Sequence, residues 1–333
     1  SGPLMLTRRH FIVGTAALLA CARKGPVDRG RDFLIAQQAA DGSFPSRTYG
    51  VMSGGDSLTP FAGLALAGTE AAARAAAWCA LHLDADGALG LASGDYPVYA
   101  TAMAARLMGA VGGHADAVAR ACAWLEAQQL RDGWEGHPAH GGWPMGSRSR
   151  PTPPESGHVD LSMTRRAIEA LAAAKRSGPA TEAARGFVRR CAAATGGYVY
   201  SPVHLALNKG PCTAEGCAGY GSATCDGILA LTALGEDVAR DVAWLRGVHR
   251  LDENPGVRGG ALDAFATAMK GYYRAGSAQV FARHGGPDGW REALRAAALA
   301  DQRPDGSWRN EDALQREDDP IIATGFALVA LSA

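Results

Sequence analysis

Aspartates, tyrosines and a histidine gather just ahead of a recurring Thr-led apolar segment. Asp56 precedes Thr59; Asp95, Tyr96 and Tyr99 flank Thr101 on its N-terminal side; His158 and Asp160 precede Thr164; Tyr220 and Ser222 precede Thr224; Asp263 precedes Thr267; Asp318 and Asp319 precede Thr324. A positioned carboxylic acid can deliver a proton in a transition state, and a neighbouring imidazole can share that work. The catalytic candidates are therefore Asp160 with His158, and the Asp318–Asp319 pair. Asp56, Asp95, Tyr96, Tyr99, Tyr220, Ser222 and Asp263 are candidates for ligand binding. The same residues have a plainer use, since Asp and Thr at a helix start satisfy free backbone N–H groups and suit the helix dipole. Taken together, the set is richer than capping requires.

The ligand class can be narrowed from charge. Helix N-termini favour anions, so a diphosphate with help from Arg165 or Arg166 is one reading. The surrounding acids point instead to a neutral or cationic ligand, or a metal ion. His137 and His140 with His158 have the residue types of a metal set, but loop histidines rarely are one; no metal ligand and no cofactor is assigned. Asp95 with Asp319 would be the acid pair if the substrate were a carbohydrate. Arg148 and Arg150 are read as solvating their loop.

These residues need elements to hold them, and the elements repeat. One module is an Asp-Gly turn after a helix: Asp41-Gly42-Ser43-Phe44, Asp86-Gly87, Asp132-Gly133-Trp134 and Asp305-Gly306-Ser307-Trp308. Phe33, Trp78, Trp124 and Trp244 hold one common offset ahead of Asp41, Asp86, Asp132 and Asp252. Gln38 and Gln302 stand at matching distances before Phe44 and Trp308. The other module is the Thr-led segment, with apolar residues at i, i+3, i+4 and i+7 that predict a buried or amphipathic helix. Six copies start at Thr59, Thr101, Thr164, Thr224, Thr267 and Thr324. Outer helix, turn and inner helix thus alternate. The near-identity of the first and last turns, "DGSF" and "DGSW", predicts a closed ring: an all-α fold, an α/α toroid or (α/α)6 barrel of six helical hairpins. A solenoid would carry distinct caps instead. One domain is expected over 26–333, with a Gly/Pro-rich insertion at about 133–157 that carries no packed element.

The 333 residues are 47% hydrophobic and 20% charged, with formal net charge +0, so the chain can bury a large core and lacks the basic surplus of a nucleic-acid partner. Residues 1–25 read as an export signal. Arg8-Arg9 ahead of an apolar run too short to span a bilayer resembles a twin-arginine leader. Leu18-Leu19-Ala20-Cys21 resembles a lipoprotein cleavage box, in which Cys21 would be lipidated and anchor the protein to a membrane, although Leu19 is larger than the usual residue there. An exported location, periplasmic or cell-envelope, is expected, and such compartments permit disulfides. Cys212 and Cys217 are placed to bridge; Cys79, Cys122 and Cys191 are read as core residues.

The turn Gln-x2-Asp-Gly-Ser-Phe/Trp resembles the QW-type turn of squalene and terpene cyclases. The Thr-x2-Ala-Leu-x-Ala-Leu helices are similar to those of the prenyltransferase and squalene oxidase repeat family, and "GGYVYSP", "GYGSATCDGILAL" and "LDENPG" resemble an exported bacterial subgroup of it. The resemblance implies a squalene-hopene-cyclase-like toroid that binds a hydrophobic, isoprenoid-like molecule or an envelope protein. It does not carry over the family's chemistry. No Asp-x-Asp-Asp acid is present, Asp84-Ala85-Asp86 being only Asp-x-Asp. No Asp-x-Cys zinc pair is present either: Asp160-Leu161-Ser162 has Ser in the Cys position, and Ala323 stands where the zinc histidine would. The expectation is a binding toroid. The alternatives are an enzyme acting on an isoprenoid through a non-standard Asp, or a carbohydrate-active (α/α)6 enzyme.

Overall fold

A computed structural model describes residues 24–333. The twin-arginine motif and Cys21 lie outside these residues. The fold is the α/α toroid. Six inner elements alternate with six outer helices: inner α2 (Leu58–Ala65), α4 (Pro97–Val111), α6 (Leu161–Ala173), α8 (Gly221–Ala233), the pair α10 (Phe265–Ala268) and α11 (Lys270–His284), and α13 (Pro320–Leu331); outer α1 (Pro26–Ala36), α3 (Glu70–His82), α5 (Ala115–Gln128), α7 (Pro179–Arg190), α9 (Ala239–Val248) and α12 (Trp290–Asp301). The inner helices pack in a complete ring, α2 on α4, α4 on α6, α6 on α8, α8 on α11, α11 on α13, and α13 back on α2. Small residues permit that closeness: a Cβ on Gly325 of α13 would fall 2.4 Å from the Phe61 ring of α2.

The inner-helix threonines are latches. The Oγ1 atoms of Thr59, Thr101, Thr164, Thr224 and Thr324 accept the backbone N–H groups of Phe44, Leu89, Trp143, Tyr198 and Trp308 at 2.9, 2.8, 3.2, 3.0 and 3.1 Å. All five threonines are fully buried, so each bond pins a turn to its helix where no water could replace it. The turn then rests on the next outer helix. Gly42 has φ +97°, and a Cβ there would sit 2.8 Å from the Arg74 carbonyl oxygen of α3, which makes glycine obligatory.

Closure uses the same parts. Gln302 donates through Nε2 to its own turn at Gly306 O and to Pro26 O at the start of α1, at 2.9 and 2.8 Å. Gln38 does the same to Gly42 O and Ala71 O, and Gln129 to Gly141 O and Ala180 O. Trp308 donates its indole N–H to Ala298 O of α12 at 2.7 Å and lies against α1 at Gly30, so the last turn joins the last outer helix to the first.

Two sequence expectations need correction. The third turn is not Asp132-Gly133-Trp134 but His140-Gly141-Gly142-Trp143, since Trp143 makes the latch with Thr164 and Gln129 reaches Gly141. The Gly/Pro-rich stretch therefore packs: it forms no helix, yet Trp134 and Trp143 are both buried in it, and Trp143 bonds Leu125 O. The fifth Thr is not a latch. Thr267 is exposed in the short α10, and the end of α9 is tied to α11 instead by a 2.8 Å bond between His249 Nδ1 and the Tyr273 hydroxyl and by Arg274 Nε donating to Leu251 O at 2.7 Å.

Candidate functional site

A cavity of about 400 Å³ occupies the end of the ring where the inner helices begin. Every inner element supplies first- or second-turn residues to it: Leu58 and Phe61, Tyr99, Met163 and Arg166, Ser222 and Asp226, Tyr272, and Ile322 and Phe326. Loops roof it with Met52, Tyr96, Met145, Tyr200, Lys209 and Leu314 to Arg316. Its walls are mostly apolar and aromatic, and its size lies within the roughly 300–1,000 Å³ of small-molecule sites.

The repeat register explains which residues face inward. Two positions after each latch threonine stand Phe61, Met103, Arg166, Asp226 and Phe326, and four of these five line the cavity. In α6 and α8 this column carries a charge where the others carry Phe or Met. Asp226 is held by Arg165 Nη1 at 2.9 Å and receives the Tyr272 hydroxyl at 2.8 and 3.0 Å from its two oxygens. Arg165 also bonds Glu169 at 2.9 Å and Gln279 at 3.3 Å, and Arg106 bonds Glu169 at 2.7 Å. This buried layer cross-links α4, α6, α8 and α11. Burial pushes the Asp226 carboxyl up, against the pull of Arg165 and Arg166. At Glu169 burial is outweighed by three guanidiniums, which hold it well below the usual range. Sequence reasoning missed Asp226, Tyr272, Arg106, Glu169 and Lys209; for Asp226, the odd charge in an apolar repeat column was the available signal.

Of the residues singled out in the sequence, Tyr96, Tyr99, Tyr220 and Ser222 line the cavity. Most of the acids do not. Asp160 is fully buried as the N-cap of α6: it accepts the Met163 amide and the Ser162 hydroxyl at 2.8 Å, the Tyr200 hydroxyl at 2.9 Å, and lies 3.1 Å from His158 Nε2. Burial would raise it, but those donors outweigh burial and hold it below the ordinary carboxylate range. Asp319 caps α13 at Ile321 N, 2.8 Å, and receives Ser46 Oγ at 2.5 Å. Asp318 accepts the Tyr49 hydroxyl, and burial with that partner pushes the phenol up to about 12. Asp95 is buried against the Ser57 amide at 2.9 Å, and burial raises its carboxyl. Asp56 receives the Ser93 hydroxyl at 2.6 Å, and exposed Asp263 holds its own loop at Gly260 N, 2.8 Å. None of the catalytic candidates Asp160, His158, Asp318 and Asp319 is among the residues that line the cavity; Asp160 and Asp319 cap helices, and His158 and Asp318 brace tyrosines.

Neither sequence-proposed grouping assembles around the cavity. Neither Asp95 nor Asp319 is among the residues that line the cavity, so that pair does not meet there. His137 turns its Nδ1 to the Ala139 amide while His158 bonds Tyr200; among the described residues no group of three His, Cys, Asp or Glu side chains could hold a metal ion. Cys212 and Cys217 are bridged across a two-stranded hairpin, β1 (Cys212–Thr213) and β2 (Gly216–Cys217), and Cys79, Cys122, Cys191 and Cys225 are buried thiols.

Of the three non-glycine residues with positive φ among the described residues, two stand at the mouth and one, Lys175, follows the end of α6. Tyr96 and Arg316 are non-glycine residues with φ +47° and +61°, and the Arg316 guanidinium lies 5.5 Å from the Tyr96 ring centroid and 5.4 Å from that of Tyr49. Such left-handed residues persist where their surroundings hold them, often at ligand sites.

No family model matches the chain, and no curated protein matches it. Solved structures do. The chain is similar to type II terpene cyclase MstE from Scytonema, a variant in complex with the product merosterolic acid A, with TM-score 0.60 and 16% identity over 92% of this chain and 95% of that one. A second variant of the same cyclase, in complex with the substrate geranylgeranyl dihydroxybenzoate, gives 0.57 and 18% over the same shares. A protein from Actinoplanes gives 0.54 and 16% over 92% of this chain and 98% of that one. At this identity the likeness establishes a terpene-cyclase-like fold.

Proposed function

We propose that this toroid binds an isoprenoid-like hydrophobic molecule in its central cavity. The observation that carries the reading is the lining itself: Phe61, Tyr99, Met163, Tyr272, Ile322 and Phe326, one or more from nearly every inner helix, face a cavity of about 400 Å³. Transfer of a branched hydrocarbon from water to such walls is favourable by about 25 cal/mol per Å² of apolar surface removed. The structural neighbours, a terpene cyclase that holds geranylgeranyl dihydroxybenzoate as substrate and merosterolic acid A as product, support the choice of an isoprenoid. Titration of the purified protein with farnesol and geranylgeraniol by calorimetry tests it. One-to-one binding, abolished by the cavity-filling Met163→Trp, is expected. No binding of either, or binding indifferent to Met163→Trp, would sink the reading.

A second reading, acid catalysis on the bound isoprenoid, is favoured by Asp226, the carboxylate that lines the cavity. Protonated, it would transfer its proton to one carbon of an alkene, leaving a carbocation and a carboxylate already paired with Arg165. Asp226→Asn should then keep ligand binding and lose turnover; unchanged product formation would exclude it.

A further inference from the structure

Three cationic side chains and one carboxylate line the cavity: Arg166, Lys209 and Arg316 against Asp226. Asp226 is already engaged by Arg165 and Tyr272. The acids that the sequence places nearby, Asp160 and Asp319, are occupied as helix caps. The acid-lined mouth that favoured a neutral or cationic ligand is therefore not what the cavity presents.

Two of the three cations, Lys209 and Arg316, make neither an ion pair nor a side-chain hydrogen bond among the described residues, and Arg316 leaves its Nη1 unpartnered; Lys209 is the more buried of the two. It is 9% exposed. Its ammonium rests 3.7 Å from the Tyr200 ring centroid and 5.4 Å from that of Phe265, and among the described residues it makes neither an ion pair nor a hydrogen bond. The loop that carries it is fixed on both sides. Asn208 accepts the Tyr200 amide at 3.0 Å and donates to Gly210 O and Ala218 O at 3.2 and 3.0 Å, and the Cys212–Cys217 bridge closes the hairpin that follows. Arg166, 6% exposed, faces the same cavity with its Nε unpartnered; its Nη1 is 3.5 Å from Glu169, and its guanidinium lies 5.8 Å from the Tyr99 ring centroid. A buried charge without a counter-ion is costly. Aromatic faces offset part of that cost, and burial pushes the Lys209 amine down to about 8, against the pull of Asp160.

We propose that the ligand of this cavity carries one anionic end, a carboxylate or a phosphate ester, which docks on Lys209 with Arg166 facing it, while its apolar body lies along Phe61, Tyr272 and Phe326. This rests on the reading that the cavity holds an apolar molecule, and adds the charge of that molecule. An anion at Lys209 supplies the missing partner and holds the amine protonated, so binding takes up protons where the free amine is partly neutral. The charged and titratable groups around Lys209 are Asp160 and His158 behind Tyr200, Tyr220 at the start of α8, and Arg166, Asp226 and Tyr272 on the cavity wall.

The test is calorimetry with three probes that share one hydrocarbon: farnesol, farnesoic acid and farnesyl monophosphate. The wild-type chain should bind the two anions about tenfold or more tighter than the alcohol, and the stronger of the two identifies the anion. Lys209→Met should lose most of that preference, Arg166 keeping a remainder, and Lys209→Arg should keep it. In the wild type the preference should weaken as pH rises from about 7 to about 9; in Lys209→Arg, which stays charged, it should not. This pH comparison stands even if Lys209→Met fails to fold. Equal binding of alcohol and anions by the wild type would overturn the anionic end and leave the apolar cavity standing. A preference undiminished in Lys209→Met would overturn the role of Lys209. Binding of none of the three would overturn both.

Discussion

Arg165 and Asp226 meet at 2.9 Å between neighbouring inner helices, at the floor of the cavity and out of water. Arg165 is 1% exposed and also bonds Glu169, so one guanidinium bridges two carboxylates from two helices. Arg165→Met would leave Asp226 charged and buried without its partner, a loss of about 3–5 kcal/mol. Adding Asp226→Leu to that variant should recover much of it, because an apolar pair removes the uncompensated charge. Urea unfolding of the two variants checks this; a double variant no more stable than the single would contradict it.

The latch threonines give a sharper contrast. Thr164→Val leaves the Trp143 amide buried and unpaired, at a cost of about 1–3 kcal/mol. Thr267→Val, at an exposed threonine in a segment of like sequence, should change stability by less than about 0.5 kcal/mol. Equal effects in thermal or urea unfolding would show that the two threonines play one role after all.

That contrast also marks how far the fold was legible. The turn and the Thr-led helix could be read because their parts are close in sequence and the bond between them recurs. The third turn was misread because an insertion makes the step from Gln129 to Trp143 eight residues longer than that from Gln38 to Phe44, and the inserted Asp-Gly-Trp imitates the motif. The site was less legible for a physical reason. Aspartate at a helix start and aspartate in a cavity look alike in sequence, and Asp160 and Asp319 proved to be the former. Lys209 lies in a loop outside the repeat, so no register pointed to it.

Glu317 links stability to pH. Buried against the Gly271 and Tyr272 amides at 2.8 Å, it is pushed by burial up to about 7 from 4.5. A raised acid contributes stability that is full below about 4.5 and is lost as pH rises through about 7. The slope of unfolding free energy against pH should therefore carry a falling component in that window, on the order of 3 kcal/mol in total. Glu317→Gln should remove that component; an unchanged slope would refute it.

The four thiols offer a check on packing. Cys79, Cys122, Cys191 and Cys225 are buried, and burial raises each of them, so none should react with iodoacetamide in the native protein at neutral pH. All four should react in denaturant, while Cys212 and Cys217 need prior reduction. Peptide mass mapping reads this out, and native labelling at any of the four would contradict their placement.

The central claim is that an apolar ligand occupies the ring of inner helices. The most direct test is photolabelling with a benzophenone-bearing farnesyl probe, followed by peptide mapping and competition with unlabelled farnesol. The account predicts labels on residues of the cavity wall, among them Met163, Tyr272 and Phe326, all displaced by competitor. Labels confined to the outer helices, or labels that competitor leaves in place, would contradict it.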